Sequence, residues 1–281
     1  MAVLLGGKET ADKIIEQVRK ETQKLIVKPT LAVIAVGNDP ASEVYVKRKD
    51  EDAKQAGINS FIIKMPESIS QIQLELKIDE FNNEKNINAI LVQFPLPKHI
   101  NTFDIIQRIR PDKDVDGLHP LNVGKLQTGL EPYAIACTPL GIITLLEAYN
   151  IKVEGKHVVI VGRSNLVGKP LASLMLQKNA TVTICHSKTQ NIQNITSTAD
   201  ILVSAIGQPG LIKADWIKEG AVVIDVGINR NDEGKLCGDV DFEEVKAKAS
   251  YITPVPGGVG LMTRAMLVFN TLNLYNLNKR K

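Results

Sequence analysis

The sequence predicts an α/β protein with two parallel-sheet domains. Short apolar, β-branched runs alternate with amphipathic helical segments up to about residue 100, and the alternation begins again after Asn150. Parallel strands need crossover helices, so two such series imply two sheets. The length of 281 residues suits two domains of ordinary size, each able to bury its own core.

In chain order, Ala11 to Leu25 places Ile14, Ile15 and Val18 at helical spacing among charges, which predicts an amphipathic helix. LAVIAVG, from Leu31 to Gly37, is a continuous apolar run of the kind that forms a parallel strand buried on both faces. A helix follows from Ala41 to about Gln55, stopped by Gly57. INSFIIKM then predicts a strand, ISQIQLELKIDEFNN a helix, and INAILVQFPLP a strand entering a proline-punctuated loop. Residues 110–129 carry turn formers with little periodicity and are expected to be irregular; loops of that length tend to be functional. After a helix from Thr138 to Asn150, the strands HVVIVG, TVTIC, ADILVSAIG and AVVIDVGIN complete the second series, and a last helix runs from about Met262 to Leu277. The expected domains are therefore residues 1–140 and 141–261, with the helix 262–281 packing back near the first.

Composition excludes several function classes. Net charge is only +3 with the cations scattered, and aromatic residues make up 4% of the chain, so a general nucleic-acid surface is not expected. Cys137, Cys185 and Cys237 lie far apart without metal-ligand spacing, which predicts no metal, no disulfide framework and a reducing compartment. The first ten residues hold too short an apolar run for a signal peptide, and no segment approaches the ~18 apolar residues of a membrane span. A cytoplasmic location is expected.

Two stretches carry candidate chemistry. In VVIVGRSNLVGKP, from Val158 to Pro170, a buried strand ends in Gly162 and feeds a helix through Gly168, a turn that can aim backbone N–H groups at phosphate. Tight strand-to-helix turns also need glycine for steric reasons alone. The next strand, TVTIC, ends in His186–Thr189 with no acid to take a ribose 2′-hydroxyl. Arg163 offers a planar cation, and Ser164 or Ser187 a hydroxyl donor, suited to the 2′-phosphate of NADP; the alternative is that Arg163 pairs with a surface acid. In ASEVYVKRK, Tyr45 and Lys49 stand four apart on one helix face, near the carboxyl end of a parallel strand where such sheets bind ligands. Such a pair can also merely cover apolar surface. Gln93 and the acids Asp114 and Asp116 are expected at strand ends of the same domain.

Taken together, VGNDPASEVYVKRK, VQFPLP, KDVDGLHPLNVG, VGRSNLVGKPLA, CHSKT, ADILVSAIGQPG, VIDVGIN and TPVPGGVGLMT, in that order along nearly the whole chain, resemble the bifunctional methylenetetrahydrofolate dehydrogenase and methenyltetrahydrofolate cyclohydrolase (FolD) family. The resemblance implies a three-layer α/β folate domain and a Rossmann-type NADP domain with a cleft between them. It also implies oxidation of 5,10-methylenetetrahydrofolate with NADP, then hydrolysis of the methenyl cation to 10-formyltetrahydrofolate, by a homodimer. Lys49 is then the acid/base of hydrolysis, Tyr45 stacks on the folate and Gln93 orients the lysine. Asp116 anchors the pterin, a role that suits a carboxylate facing two N–H donors. Pro256, Gly257 and Gly258, within the loop Pro254–Gly260, line the folate side. Gly162, Arg163 and Ser164 bind cofactor phosphate, Ser187 lies near the 2′-phosphate, and Ile228 meets the nicotinamide end. The chain departs from the family at Leu261 and Ala136, where proline is common. A monofunctional dehydrogenase and a non-catalytic NADP or folate sensor are the rival readings.

Overall fold

The structure, a computed structural model, describes residues 2–279. Its elements run β1 (Val3–Leu4), α1 (Lys8–Gln23), β2 (Thr30–Val36), α2 (Pro40–Gln55), β3 (Asn59–Met65), α3 (Gln71–Asn83), β4 (Ala89–Val92), α4 (Thr102–Arg108), α5 (Pro120–Gln127) and α6 (Cys137–Ala148). Then come β5 (His157–Val161), α7 (Gly168–Gln177), β6 (Thr181–Cys185), α8 (Ile192–Thr196), β7 (Ile201–Ser204), a 3-10 turn (Ala214–Trp216), β8 (Val222–Asp225), β9 (Asn229–Arg230), β10 (Leu236–Cys237), α9 (Phe242–Lys248), β11 (Tyr251–Ile252) and α10 (Val259–Lys279).

The chain divides into two compact units, one of Asp12–Cys137 with the chain from Arg264 onward, the other of Thr138–Thr263 with the segment ending at Ala11. In the first, β2 lies between β3 and β4 in a parallel sheet of order β3-β2-β4. Leu31 to Ile34 and Ala89 to Val92 are buried as expected of strands covered on both faces, and Ile34, Leu74, Ile78, Ile90 and Ile105 share one core. Helix starts are capped: Asp39 accepts the Ser42 N–H at 2.8 Å, and Ser70 and Gln73 form a capping box at α3.

The stretch 110–129 is not irregular throughout, because α5 occupies part of it. His119 is its cap, its Nδ1 accepting the Leu121 N–H at 3.0 Å; histidine is not among the usual cap residues, which hid this start. The helix α4, capped by Asn101, also lies in a region to which sequence periodicity assigned no element.

The second unit carries a six-stranded, all-parallel sheet of order β1-β11-β8-β7-β5-β6. Val3 and Leu4 pair with Tyr251 and Ile252, so the N-terminal segment joins this sheet and not, as chain order led us to expect, residues 12–137. Strands of two residues leave no periodic signature. β5 has β6 on one side and β7 on the other, a topological switch point of the Rossmann kind. Trp216 packs against this core, and Cys185 is buried; Cys237 is half-exposed, not buried as a small core residue would be.

Candidate active site

In the three-stranded unit, β2 ends at Val36 and α2 begins three residues after Gly37, so the first turns of α2 stand at the carboxyl end of the sheet. Lys49, three turns in, is buried, and its Nζ donates to Gln93 Oε1 at 3.0 Å. No carboxylate pairs with it among the described residues. Gln93 immediately follows β4; its Nε2 donates to the Phe94 carbonyl at 2.7 Å, which aims the amide oxygen at the lysine. Tyr45, one turn before Lys49, is half-buried; burial raises its hydroxyl pKa, and the cations Arg264 and Arg48 pull it back down. Gln93 also walls a cavity of about 290 Å³ with Val36, Gly37, Ser42, Val46 and Pro95.

The acid-bearing loop reaches the same sheet end by running beside β4, where the Ile90 N–H donates to the Lys113 carbonyl at 2.8 Å. Its two acids differ in use. Asp114 is buried inside the loop, Oδ2 accepting the His119 N–H at 2.8 Å and the Asn122 amide at 2.9 Å; burial raises its carboxyl to about 6. Asp116 is half-buried and lies beside the Cys137 thiol, whose pKa is pushed far up first by burial and then by the Asp116 charge, with Lys49 acting the other way. Cys137 therefore lies within electrostatic range of both Lys49 and Asp116. Periodicity missed a residue that helps hold this arrangement: Asn270, buried on α10, donates to the carbonyls of Val115 at 2.9 Å and Ile135 at 2.8 Å.

In the six-stranded unit, Gly162 to Gly168 occupies the switch point. Gly162 has φ +125°, and a Cβ there would lie 2.4 Å from the Ala205 carbonyl oxygen; a Cβ on Gly168 would lie 2.1 Å from the Gly162 carbonyl oxygen. Gly162 is required by space and by conformation, Gly168 by space alone. The start of α7 has no side-chain cap on Val167, while Ser164 Oγ accepts the Val167 N–H at 3.1 Å. Arg163 is exposed, and no acid pairs with it among the described residues. Ser187 is exposed just beyond β6, the strand next to β5, where no acid follows the strand end. This cradle, with an unpaired cation and no ribose-binding acid, fits a dinucleotide that bears a 2′-phosphate. Ile228 is exposed beyond β8, two strands from β5.

Pro256, Gly257 and Gly258 follow β11 in the same unit, with a cis bond at Val255–Pro256. The Gly7 N–H donates to the Gly257 carbonyl at 2.8 Å, and a Cβ on Gly7 would meet the Gly258 carbonyl oxygen at 2.3 Å. Gly7 thus buttresses this loop. At Leu261, one of the departures, the N–H donates to the Gly258 carbonyl at 3.2 Å, a bond proline could not make. Ala136, the other, is buried.

Residues 5–116 match the tetrahydrofolate dehydrogenase/cyclohydrolase catalytic domain, and residues 136–279 the NAD(P)-binding domain of the same family. The chain belongs to the tetrahydrofolate dehydrogenase/cyclohydrolase family. It is 54% identical over 275 residues to a bifunctional protein FolD of Bacillus anthracis, covering 97% of this chain and 96% of that one. Among solved structures, the Campylobacter jejuni bifunctional FolD superposes with a TM-score of 0.96 at 47% identity, covering 99% of this chain and all of the other. A Trypanosoma brucei FolD, solved with NADP cofactor and an inhibitor, gives 0.95 at 37% identity over 100% of this chain and 99% of that one. The tetrahydrofolate dehydrogenase/cyclohydrolase fold accounts for both sheets and their order in the chain.

Proposed function

We propose that this chain oxidises 5,10-methylenetetrahydrofolate with NADP and hydrolyses the resulting methenyl cation to 10-formyltetrahydrofolate. Membership of the family supports both activities. The observation that carries the hydrolytic half is the buried Lys49 side chain, held by Gln93 and with no carboxylate paired to it among the described residues. As water adds to the amidinium carbon, Lys49 Nζ acts as the free amine, takes a proton from the attacking oxygen, and returns that proton to the ring nitrogen when its bond to carbon breaks. Asp116 accepts hydrogen bonds from the pterin edge, and Tyr45 covers the ring face. Pro256, Gly257 and Gly258 are proposed as further folate contacts on the family pattern.

Gly162, Arg163, Ser164, Ser187 and Ile228 would hold NADP, with Arg163 and Ser187 reading the 2′-phosphate. When bound, NADP supplies the acceptor for the hydride leaving the methylene carbon. We assign the Lys49 chemistry and the Asp116 contact to the three-stranded unit and cofactor binding to the six-stranded one. A homodimer is proposed as well, supported by β6, an edge strand whose outer side is unpaired and whose Ile184 is exposed; light scattering of the purified protein tests it. Cytoplasmic residence is supported by three free thiols, and cell fractionation tests it. No described helix is long and apolar enough to cross a membrane.

The deciding experiment follows nicotinamide absorbance on adding methylenetetrahydrofolate and NADP+, and separately the loss of methenyl absorbance without cofactor. Both signals are expected. Oxidation without hydrolysis would mean a monofunctional dehydrogenase, and NADP+ affinity without turnover would mean a sensor.

A further inference from the structure

Two carboxylates lie buried in the six-stranded unit with no cation paired to either among the described residues. Asp225, the last residue of β8, is 4% exposed; its Oδ1 accepts the N–H groups of Gly227 and Asp239, and its Oδ2 that of Val240, each at 2.9 Å. Asp239 is 0% exposed. Its Oδ2 accepts the Ser204 hydroxyl at 3.1 Å and the Ile206 N–H at 2.9 Å, and its Oδ1 accepts the Gln208 N–H and the Asn229 amide, both at 2.9 Å. Burying a charge without a counter-ion is unfavourable unless hydrogen bonds replace its water shell, and here donors from three separate chain segments do so.

Those segments are the end of β7 with the loop after it, the turn 226–228 after β8, and the chain returning from the β9–β10 hairpin. Backbone is pressed against both carboxylates. A Cβ on Gly227 would sit 2.2 Å from Asp239 Oδ1, and one on Gly238 would sit 1.8 Å from Asp225 Oδ2, so these glycines serve close approach and not an unusual φ. The turn thus held presents Ile228, exposed, at the carboxyl end of the sheet.

We propose that Asp225 and Asp239 are positioning residues for the nicotinamide end of the cofactor: together they staple the Ile228 turn to the loop after β7 and set where the ring rests. The proposal depends on Ile228 meeting that end of NADP, as put forward above. Neither carboxylate touches the ring; each acts through backbone it holds.

The test is binding, read without turnover. Asp239→Asn and Asn229→Ala are titrated with NADP+ and with adenosine 2′,5′-bisphosphate, which keeps the 2′-phosphate end and lacks the nicotinamide. NADP+ affinity should fall at least about fivefold in both variants while the bisphosphate binds as in the unsubstituted protein, and Ser204→Ala should show the same pattern more weakly. Unchanged NADP+ affinity, or equal loss for the two ligands, would overturn the proposal. If Asp239→Asn fails to fold, the Asn229 and Ser204 variants decide, since each removes a donor and leaves the charge in place. Should the unsubstituted protein bind no NADP+ at all, the functional reading fails; if it binds and the variants match it, only the stapling role fails.

Discussion

Replacing Gln93 with leucine removes the acceptor that faces Lys49 while keeping side-chain bulk. Lys49 Nζ has one hydrogen bond, to Gln93 Oε1 at 3.0 Å, and its side chain is buried, so no bulk water stands ready to replace that partner. A hydrogen bond to a charged group contributes about 1.5–3 kcal/mol. If that energy holds the ammonium in its working position, its loss appears as about a ten- to hundredfold fall in kcat for methenyl hydrolysis. NADP+ affinity should not move, because Gln93 belongs to the three-stranded unit and the dinucleotide turn to the other. Methenyl absorbance in a stopped-flow instrument gives kcat and KM, and titration of intrinsic fluorescence gives the cofactor Kd. A folded Gln93→Leu protein that hydrolyses at the original rate would refute the assignment of Gln93 as the residue that orients Lys49.

Arg163→Ala should weaken NADP+ by about tenfold or more, the worth of a charge-assisted bond to phosphate, and leave NAD+ unchanged; equal weakening would show that Arg163 does not read the 2′-phosphate. Gly168→Ala would push a methyl group to 2.1 Å from a backbone oxygen that cannot swing aside. We expect it to lower stability by about 1–3 kcal/mol, seen as a lower Tm, and to weaken NADP+; an unaltered Tm would mean the turn yields without strain. Asp114 has its carboxyl raised by burial from 3.8 to about 6, so its contribution to stability is full below the lower value and is lost as pH rises through the upper one. Denaturant melts of the original protein and Asp114→Asn at pH 4 and pH 7 should diverge on this account by about 1–3 kcal/mol, the original losing ground at the higher pH. Parallel pH dependence would contradict it.

Sequence alone settled the fold class and the parallel strands, because a strand buried on both faces must be apolar throughout, as Leu31–Ile34 and Val158–Val161 are. It also singled out the dinucleotide turn, as a buried strand that ends in Gly162 and feeds a helix through Gly168, and the missing acid after β6 is a local fact; that a side chain at either glycine would collide with backbone is visible only in the structure. Ordered motifs indicated the family. What chain order could not supply was every feature that depends on distant segments meeting. Lys49 and Gln93 are 44 residues apart, Asn270 reaches carbonyls 155 and 135 residues away, and Val3 and Leu4 pair with the far end of the chain. Asp114 and Asp116, two positions apart and identical as letters, were separated only by the fold, which buries one among donors and leaves the other half-open beside Cys137. The reason is physical: periodicity and turn chemistry report the local backbone, whereas burial and hydrogen-bond partners, which decide what a carboxylate or an ammonium can do, exist only once the chain has closed on itself.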